Sequence, residues 1–291
     1  MGNHDKIRRN EEKCTLCLLC VRDCIAGVWR MSGKTPVPTH PALCNRCGHC
    51  VSVCPTGAVE HDLLDKNQVR QVESTLVSPK GYKEIVLGRR SVRAYSKREV
   101  PKAVIDTIID VARYTPTSSN SQDVGYIVIT DRTIIGDISR TMYAFAERIY
   151  HLMKKQPLKF MADVTGLSGN RYLSLMDYTV DQTKKGRDFF LHDAPVFILI
   201  HGPEKSGFAR ENCAIASMNI MNYAHSLGLG SCYIGLFIKA LGWSRALKKK
   251  VPLPSGRKIY SSLVLGYPAY PHRFTVSRKK PPILWMEKRK V

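Results

Sequence analysis

The sequence lacks long hydrophobic runs and two common nucleotide-binding motifs. No stretch approaches the roughly 18 apolar residues of a membrane-spanning helix, and residues 1–6 show no apolar core of a secretory signal. We therefore expect a cytoplasmic protein without a membrane span. Neither Gly-x-Gly-x-x-Gly nor Gly-x4-Gly-Lys-Ser/Thr occurs, which disfavours a Rossmann dinucleotide site and a P-loop.

Cysteine, in contrast, is regularly spaced. Eight of the ten cysteines form two copies of Cys-x2-Cys-x2-Cys-x3-Cys, the second followed by Pro55. This spacing matches [4Fe-4S] ligation, in which three thiolates of one copy and the fourth of the other hold each cube. The predicted ligand sets are Cys14, Cys17, Cys20 and Cys54 for one cube, and Cys44, Cys47, Cys50 and Cys24 for the other.

Zinc and disulfides are the alternatives for these cysteines. Structural zinc usually takes two Cys-x2-4-Cys pairs with a longer spacer, which the copies match poorly. A chain of 291 residues does not need disulfide staples. The segment resembles the bacterial two-cluster ferredoxins, with one departure at Ile25, where proline follows the fourth cysteine in that family.

Length suggests a small domain followed by a large one. We expect a ferredoxin-like domain at 1–62, a polar linker at 63–83 and a large domain at 84–291. Hydrophobic residues make up 44% and charged residues 24%, which is ordinary for a soluble globular protein.

Periodicity in the large domain predicts both helices and strands. Helices are predicted over 101–115, 133–155 and 208–227, and strands over 126–130, 195–200, around Ile234 and over 262–265. The glycine-containing segment 157–188 is predicted to be irregular and to act as a lid. The order favours an α+β fold, a mixed sheet flanked by helices.

Three separated motifs of the large domain carry polar or small residues. Residues 88–95 contain three arginines and a serine, and the guanidinium fork suits phosphate binding. Residues 116–122 are dense in small donors and acceptors, and the glycines of 227–235 allow close backbone approach to a planar ligand. Each motif alone also fits a plain structural role: a basic helix end, a self-capping loop or a helix C-cap.

Together, these motifs and the closing segments 265–268 and 277–282 resemble the FMN-dependent nitroreductase family. The whole chain resembles the ferredoxin–nitroreductase fusions, which implies an intertwined homodimer with two FMN sites at its interface. The resemblance implies flavin-binding positions at Arg89, Arg90, Ser91, Arg93, Thr117, Ser118, Ser119, Asn120, Gln122, Cys232, Tyr233, Ile234, Gly235 and Arg278.

The resemblance also implies a role for each group of positions. Arg89, Ser91, Arg93 and Arg278 match phosphate and ribityl ligands, and the loop 117–120, often supplied by the partner subunit, matches the contact beside the ribityl chain and ring. The backbone of Ile234 and Gly235 matches the contact with flavin N5. Asp123-Val124 replaces a frequent Pro-Trp pair after the loop.

The implied activity is that of an oxidoreductase with two [4Fe-4S] clusters and FMN. Single electrons would enter from a low-potential donor such as ferredoxin, and FMN would reduce a nitro compound, quinone or activated alkene. Two alternatives stay open: a relay between protein partners without its own substrate, and NAD(P)H as the donor. No acidic residue or histidine stands out as a proton donor, and Tyr172 and Tyr178 are candidates by position only.

Acidic residues are few, 24 against 45 Lys and Arg, which gives a formal net charge of +21. Basic runs occur at 248–250, 278–280 and 288–290. They lack aromatic interleaving and a nucleic-acid-binding motif, so we expect no nucleic-acid partner. A solvated surface, or steering of an acidic electron donor or anionic substrate, fits them better.

Overall fold

The computed structural model describes residues 6–73, 76–153 and 171–286, with the side chains of residues 153 and 171–176 left out. The chain forms two compact units. The first is Met1–Leu76 together with Pro116–Asp123, and the second is Val77–Thr115 together with Val124–Val291. Parts of four sequence predictions lie outside the described residues: linker positions 74–75, helix positions 154–155, positions 157–170 of the predicted irregular segment and the basic run 288–290.

The first unit contains two small antiparallel sheets. Strand β1 (Ile7–Arg9) pairs with β4 (Val59–His61), and β2 (Trp29–Ser32) pairs with β3 (Thr35–Pro38). Helices α1 (Leu19–Asp23) and α2 (His49–Ser52) each contain the third cysteine of a copy. The apolar core is small and packs against cysteine side chains; its buried members are Ile7, Val28, Trp29 and Val59.

The second unit is built on one four-stranded sheet. Its strands, in spatial order, are β5 (Gly125–Ile129), β6 (Val196–Pro203), β8 (Arg257–Gly266) and β7 (Gly230–Tyr233). All neighbouring strands are antiparallel. An isolated parallel bridge joins Ser91 to Ser231 of β7, so the sheet also has a parallel contact.

Seven helices of the described second unit accompany this sheet. They are α3 (Pro79–Gly88), α4 (Lys102–Ala112), α5 (Arg132–Met153), α6 (Arg171–Lys184), α7 (Ala209–Ser226), α8 (Gly235–Trp243) and α9 (Arg245–Lys249). Alternate side chains of β6 point to opposite faces of the sheet. Phe197 packs in one apolar cluster with Phe237 of α8, and Ile198 packs in another with Ile220 of α7. Helices therefore cover both faces, and the predicted α+β architecture is confirmed.

The sequence located most of these elements to within a few residues, but it missed helix α6. The predicted linker 63–83 contains a short 3-10 turn at Lys66–Gln68 and the start of α3, where the Ser78 hydroxyl caps the helix by accepting from the Gly81 N–H. In the described part of the predicted irregular segment 157–188, Arg171–Lys184 form helix α6. The strand predicted around Ile234 ends one residue earlier, at Tyr233, and α8 follows.

No helix in the described ranges is both long enough and apolar enough to span a membrane.

Candidate functional site: two cysteine cavities and an arginine-rich sheet edge

The two cysteine loops of the first unit share one backbone conformation. Leu16 and Leu18 have φ angles of 56° and 61°, and their counterparts Arg46 and Gly48 have 58° and 74°. A left-handed φ is unfavourable for leucine or arginine, so interactions with the surrounding residues must stabilise this backbone conformation. Backbone turns of this kind gather N–H groups into concave sites that bind anions, iron–sulfur clusters included.

Each predicted set of four cysteines lines one cavity. The first cavity is lined by Cys14, Cys17, Cys20 and Cys54. The second is lined by Cys24, Cys44, Cys47 and Cys50. Among the described residues, no three His, Cys, Asp or Glu side chains converge closely enough to hold a single metal ion. The thiols thus surround a space instead of a point, which fits a multi-atom cluster better than tetrahedral zinc.

Trp29 lies between these cavities and lines both. Its indole Nε1 is buried and has no hydrogen-bond partner among the described residues. Burial raises the pKa of the nearby Cys50 thiol to about 11, and the indole acts in the opposite direction. Cluster iron would hold Cys50 as a thiolate, and cluster or cysteine sulfur would give the indole an acceptor.

Further donors surround the sulfur atoms. The Ala58 N–H donates to Cys54 Sγ at 3.1 Å, and the Arg46 N–H donates to Cys44 Sγ at 3.4 Å. His61 Nε2 lies 3.3 Å from Cys44 Sγ. Burial lowers the pKa of His61, so its ring is neutral and can donate one N–H to the sulfur.

In the second unit, three predicted phosphate ligands converge near Cys232 at the edge of β7. The Val92 N–H donates to the Ser231 carbonyl at 2.9 Å, which sets Ser91 beside Ser231. Burial raises the pKa of the Cys232 thiol, whereas Arg93, Ser91 and Arg89 lower it through charge or hydrogen bonding.

This edge has unpaired buried donors. Arg89 Nε and Ser231 Oγ are buried without a hydrogen-bond partner in the described part of the chain. Such groups are costly unless a ligand or water satisfies them. A phosphate beside Arg89 and Ser91 would do so with charge-assisted hydrogen bonds, so the residues present fit the phosphate end of FMN.

Two predicted arginines make other contacts. The Arg90 guanidinium donates to the carbonyl oxygens of Leu87 at 2.6 Å, Arg89 at 2.7 Å and Phe274 at 3.2 Å. Arg90 therefore connects the start of the domain to its carboxy-terminal segment. Arg278 is exposed and donates to the Ser277 carbonyl at 3.1 Å. The structure does not bring either guanidinium into the group around Cys232.

The main-chain groups of Ile234 and Gly235, the predicted contact with flavin N5, differ in their hydrogen bonding within the protein. The Ile234 N–H donates to the Ser262 carbonyl, and the Ile234 carbonyl accepts from Ser262 Oγ, both at 2.8 Å. Both main-chain groups of Ile234 are thus used within the protein. The N–H of Gly235 makes no hydrogen bond to described residues and is left as a donor. Tyr233, just before, is 44% exposed.

The loop Thr117–Gln122 belongs to the first unit. The Gln122 N–H donates to Thr117 Oγ1 at 3.0 Å, so the self-capping interpretation holds for part of the loop. Asn120 Nδ2 also donates to the main-chain oxygen of Asn45, between Cys44 and Cys47, at 3.0 Å. This contact joins the predicted flavin loop to the second cysteine loop.

Sequence reasoning gave no role to His192, which the structure places near Arg93. His192 and Asp193 have consecutive left-handed φ angles of 62° and 50°. Burial lowers the pKa of His192 to about 4, with Asp188 opposing and Arg93 adding to the decrease. The strain and the neighbours are long-range consequences of the fold, and the only local signal is that Asp and His tolerate this conformation. The Tyr178 ring packs edge-on to Phe189, and the Tyr172 side chain lies outside the described residues.

Comparison with known proteins agrees with both halves of this description. Residues 86–267 match the model of the nitroreductase family, and residues 13–59 match that of the 4Fe-4S dicluster domain. A protein named putative NADH dehydrogenase/NAD(P)H nitroreductase from Methanothermobacter thermautotrophicus is 28% identical over 64% of this chain and 76% of its own length. A 4-nitrobenzoate reductase from Nocardioides sp. is 27% identical over 63% of this chain and 78% of its own.

Among solved structures, a nitroreductase with bound FMN from Desulfitobacterium hafniense has the same fold. It superposes with a TM-score of 0.53 and 17% identity, covering 71% of this chain and 98% of that one. The family match spans more than half of the chain, and the dicluster match spans both cysteine copies. The dicluster match supports iron–sulfur clusters as cofactors of the first unit. The chain belongs to the nitroreductase family and carries a 4Fe-4S dicluster domain before the nitroreductase domain.

Proposed function

We propose that this protein is an iron–sulfur flavoprotein oxidoreductase fed by a ferredoxin-class donor. Electrons enter at two [4Fe-4S] clusters and reach FMN, which supplies hydride or electron chemistry to an oxidised organic acceptor. The observation that carries the proposal is the presence of two four-cysteine cavities in the same chain as a nitroreductase domain.

The flavin ligands follow from the sheet edge. Arg89, Ser91 and Arg93 hold the phosphate, which pairs the buried Arg89 Nε. The N–H of Gly235 donates to the flavin ring, since the neighbouring Ile234 groups are occupied. Five residues of the loop Thr117–Gln122 complete the site from the partner subunit: Thr117, Ser118, Ser119, Asn120 and Gln122.

We propose a homodimer because the described surface carries large apolar side chains. In the carboxy-terminal segment, Ile283, Leu284, Trp285 and Met286 are 65–93% exposed. On and beside α7, Phe208 and Ile215 are 58% and 43% exposed. Large exposed apolar patches usually mark interfaces, and four consecutive residues of the carboxy-terminal segment are exposed apolar side chains. Light scattering is expected to give twice the chain mass, and a monomer that still binds FMN would contradict the shared site.

Several candidate electron donors and acceptors can be ranked for testing. The net charge of +21 suits an acidic donor protein, whose association is then expected to weaken with salt. The name of the Methanothermobacter relative favours NAD(P)H as a second candidate donor. The name of the Nocardioides relative makes a nitroaromatic compound the first acceptor to test, before quinones and activated alkenes.

Anaerobic purification followed by iron, sulfide and FMN analysis tests the cofactors. Two [4Fe-4S] clusters and one FMN per chain are expected, whereas zinc in place of iron would contradict the proposal. The reduced protein is then mixed with each acceptor. Reoxidation by a nitroaromatic, quinone or enoate supports an enzyme, and failure with all of them supports a relay between proteins.

A further inference from the structure

Asn120 gives the second cysteine loop a direct connection to the proposed flavin loop. Its side-chain amide donates to the main-chain oxygen of Asn45, the residue after Cys44. Asn120 keeps a left-handed φ of 54° while making this contact. Asparagine tolerates that conformation better than most other residues. The hydrogen bond to Asn45 fixes the loop against one particular cluster site.

The sulfur environment distinguishes the same cluster site. Cys44 Sγ lies 3.3 Å from His61 Nε2 and accepts from the Arg46 N–H. Trp29 lines both cavities, and its indole N–H lies near Cys50. In the other set, Cys54 Sγ accepts from the Ala58 N–H at 3.1 Å and lies 3.8 Å from the Thr56 hydroxyl. Among the described residues, the His61 ring is therefore the ring donor particular to the second set. Hydrogen bonds to sulfur shift a cluster's potential upward by stabilising its more negative reduced form.

We propose that the cluster held by Cys24, Cys44, Cys47 and Cys50 is the exit cluster, and that Asn120 positions the loop through which its electrons reach the flavin. The proposal rests on the proposed function, in which this loop lies beside the flavin of the partner subunit. Each transfer oxidises the exit cluster by one electron and reduces the flavin by one. Two transfers and two protons from water complete the reduction of the flavin, and the ferredoxin-class donor reduces the clusters again.

The substitution Asn120→Gly tests the positioning role. Glycine adopts the left-handed conformation without strain, so the backbone is preserved while the amide donor is lost. Ser121→Gly is the matched control, because it loosens the same loop at a residue with an ordinary φ of −62° and no assigned role. Both variants and the wild type are mixed with reduced ferredoxin under anaerobic stopped flow, with cluster and flavin absorbance followed separately.

Loss of one hydrogen bond changes the population of the loop conformation that it stabilises by roughly two- to tenfold. We therefore expect flavin reduction in Asn120→Gly to be slower than in Ser121→Gly by the same factor. Cluster reduction, iron and sulfide content and FMN content should be the same in the two variants. Freeze-quenched samples of Asn120→Gly should accumulate a reduced cluster signal. Equal flavin reduction rates in the two variants would overturn the inference. A wild type that lacks FMN, or whose flavin stays oxidised while its clusters are reduced, would instead overturn the proposed function.

The direction of transfer has its own test. Cys17→Ser and Cys47→Ser alter equivalent exposed ligands of the two sets. With a small viologen radical as the donor, the variant that keeps the Cys44 set should still reduce its flavin, and the variant that keeps only the Cys14 set should not. The reverse pattern would overturn the assignment of the exit cluster. If either variant loses both clusters, the Asn120→Gly comparison decides alone.

Discussion

The two units of this protein are stabilised by different means. The first has a small apolar core that packs against five cysteine side chains. The second buries both faces of β6, with Phe197 and Leu199 on one side of the sheet and Ile198 and Ile200 on the other, all 0% exposed. A core as small as that of the first unit rarely stabilises a domain without metals or disulfides, whereas a covered sheet does so.

This difference indicates that the iron–sulfur clusters and FMN would contribute unequally to the stability of the fold. The clusters would act as the missing core of the first unit, so binding them is part of folding it. FMN would bind at the edge of a sheet that is already packed, so its loss removes function before structure. On this account the protein would combine a cluster-binding unit that folds with its metal and a scaffold that folds by apolar burial.

Cluster removal should have the largest effect. Iron chelation under reducing conditions removes a contribution on the order of 10 kcal/mol, the scale of structural metal sites in small domains. Hydrogen exchange should then lose protection in β1–β4 and keep it in β6. Loss of protection in both units, or in neither, would contradict the claim that only the first unit needs its clusters to fold.

A cavity in the second unit should have the next largest effect. Phe237 is fully buried and its ring lies 5.0 Å from that of Phe197. Phe237→Ala should lower the free energy of unfolding of this unit by about 3–5 kcal/mol, measured by urea titration. Lys239→Ala on the same helix is the exposed control and should change it by less than about 0.5 kcal/mol. Iron content should be unaffected, and a loss of clusters in Phe237→Ala would show that the units are not independent.

Arginine substitutions test whether the edge of β7 binds the FMN phosphate. Arg89→Ala should weaken FMN binding by roughly 10- to 100-fold, since a hydrogen bond between charged groups contributes about 1.5–3 kcal/mol. Arg90→Ala is the matched control, because its guanidinium is already bound to main-chain oxygens. Flavin fluorescence titration measures both. Equal losses of affinity would show that Arg90 also contacts the phosphate.

Acidification should have the smallest effect on the second unit. The pKa of His192 is about 4 in the folded protein against 6.5 as its ordinary value, because burial disfavours the charged ring. The unfolded chain therefore binds the proton first, so this contribution to stability is full above pH 6.5 and is lost as the pH falls toward 4.

The loss in the wild type should be about 1–2 kcal/mol, after allowance for the solvent-exposed part of the ring. His192→Asn keeps a residue that tolerates the left-handed backbone and removes the titration. Urea titrations across this pH range should show a shallower pH dependence in the variant. The same dependence in both proteins would assign the effect to other groups.

Much of the first unit follows from its sequence because cluster ligation is local. The spacing of the cysteines places three ligands on one loop, and the cavities bring in the fourth as expected. The contact between Asn120 and Asn45 could not be predicted, since the two residues are 75 positions apart and no periodicity links them.

In the second unit, the long helices and buried strands were predictable because their apolar residues repeat regularly. Helix α6 was not predicted, because Gly166, Gly169 and Gly186 lie on either side of it and are typical of an irregular segment. The Arg90 guanidinium donates to the Phe274 carbonyl, and the Ile234 carbonyl accepts from Ser262. These partners are distant in sequence, so residue type alone does not predict the hydrogen bonds.

The most direct test of cluster-fed electron entry is an anaerobic stopped-flow comparison of wild type with the double variant Cys14→Ser/Cys44→Ser. Reduced ferredoxin should bleach the flavin of the wild type and leave that of the variant oxidised, while both proteins retain FMN. NADH and NADPH should bleach neither flavin on this timescale. Rapid bleaching by NADH that is the same in both proteins would contradict entry through the clusters.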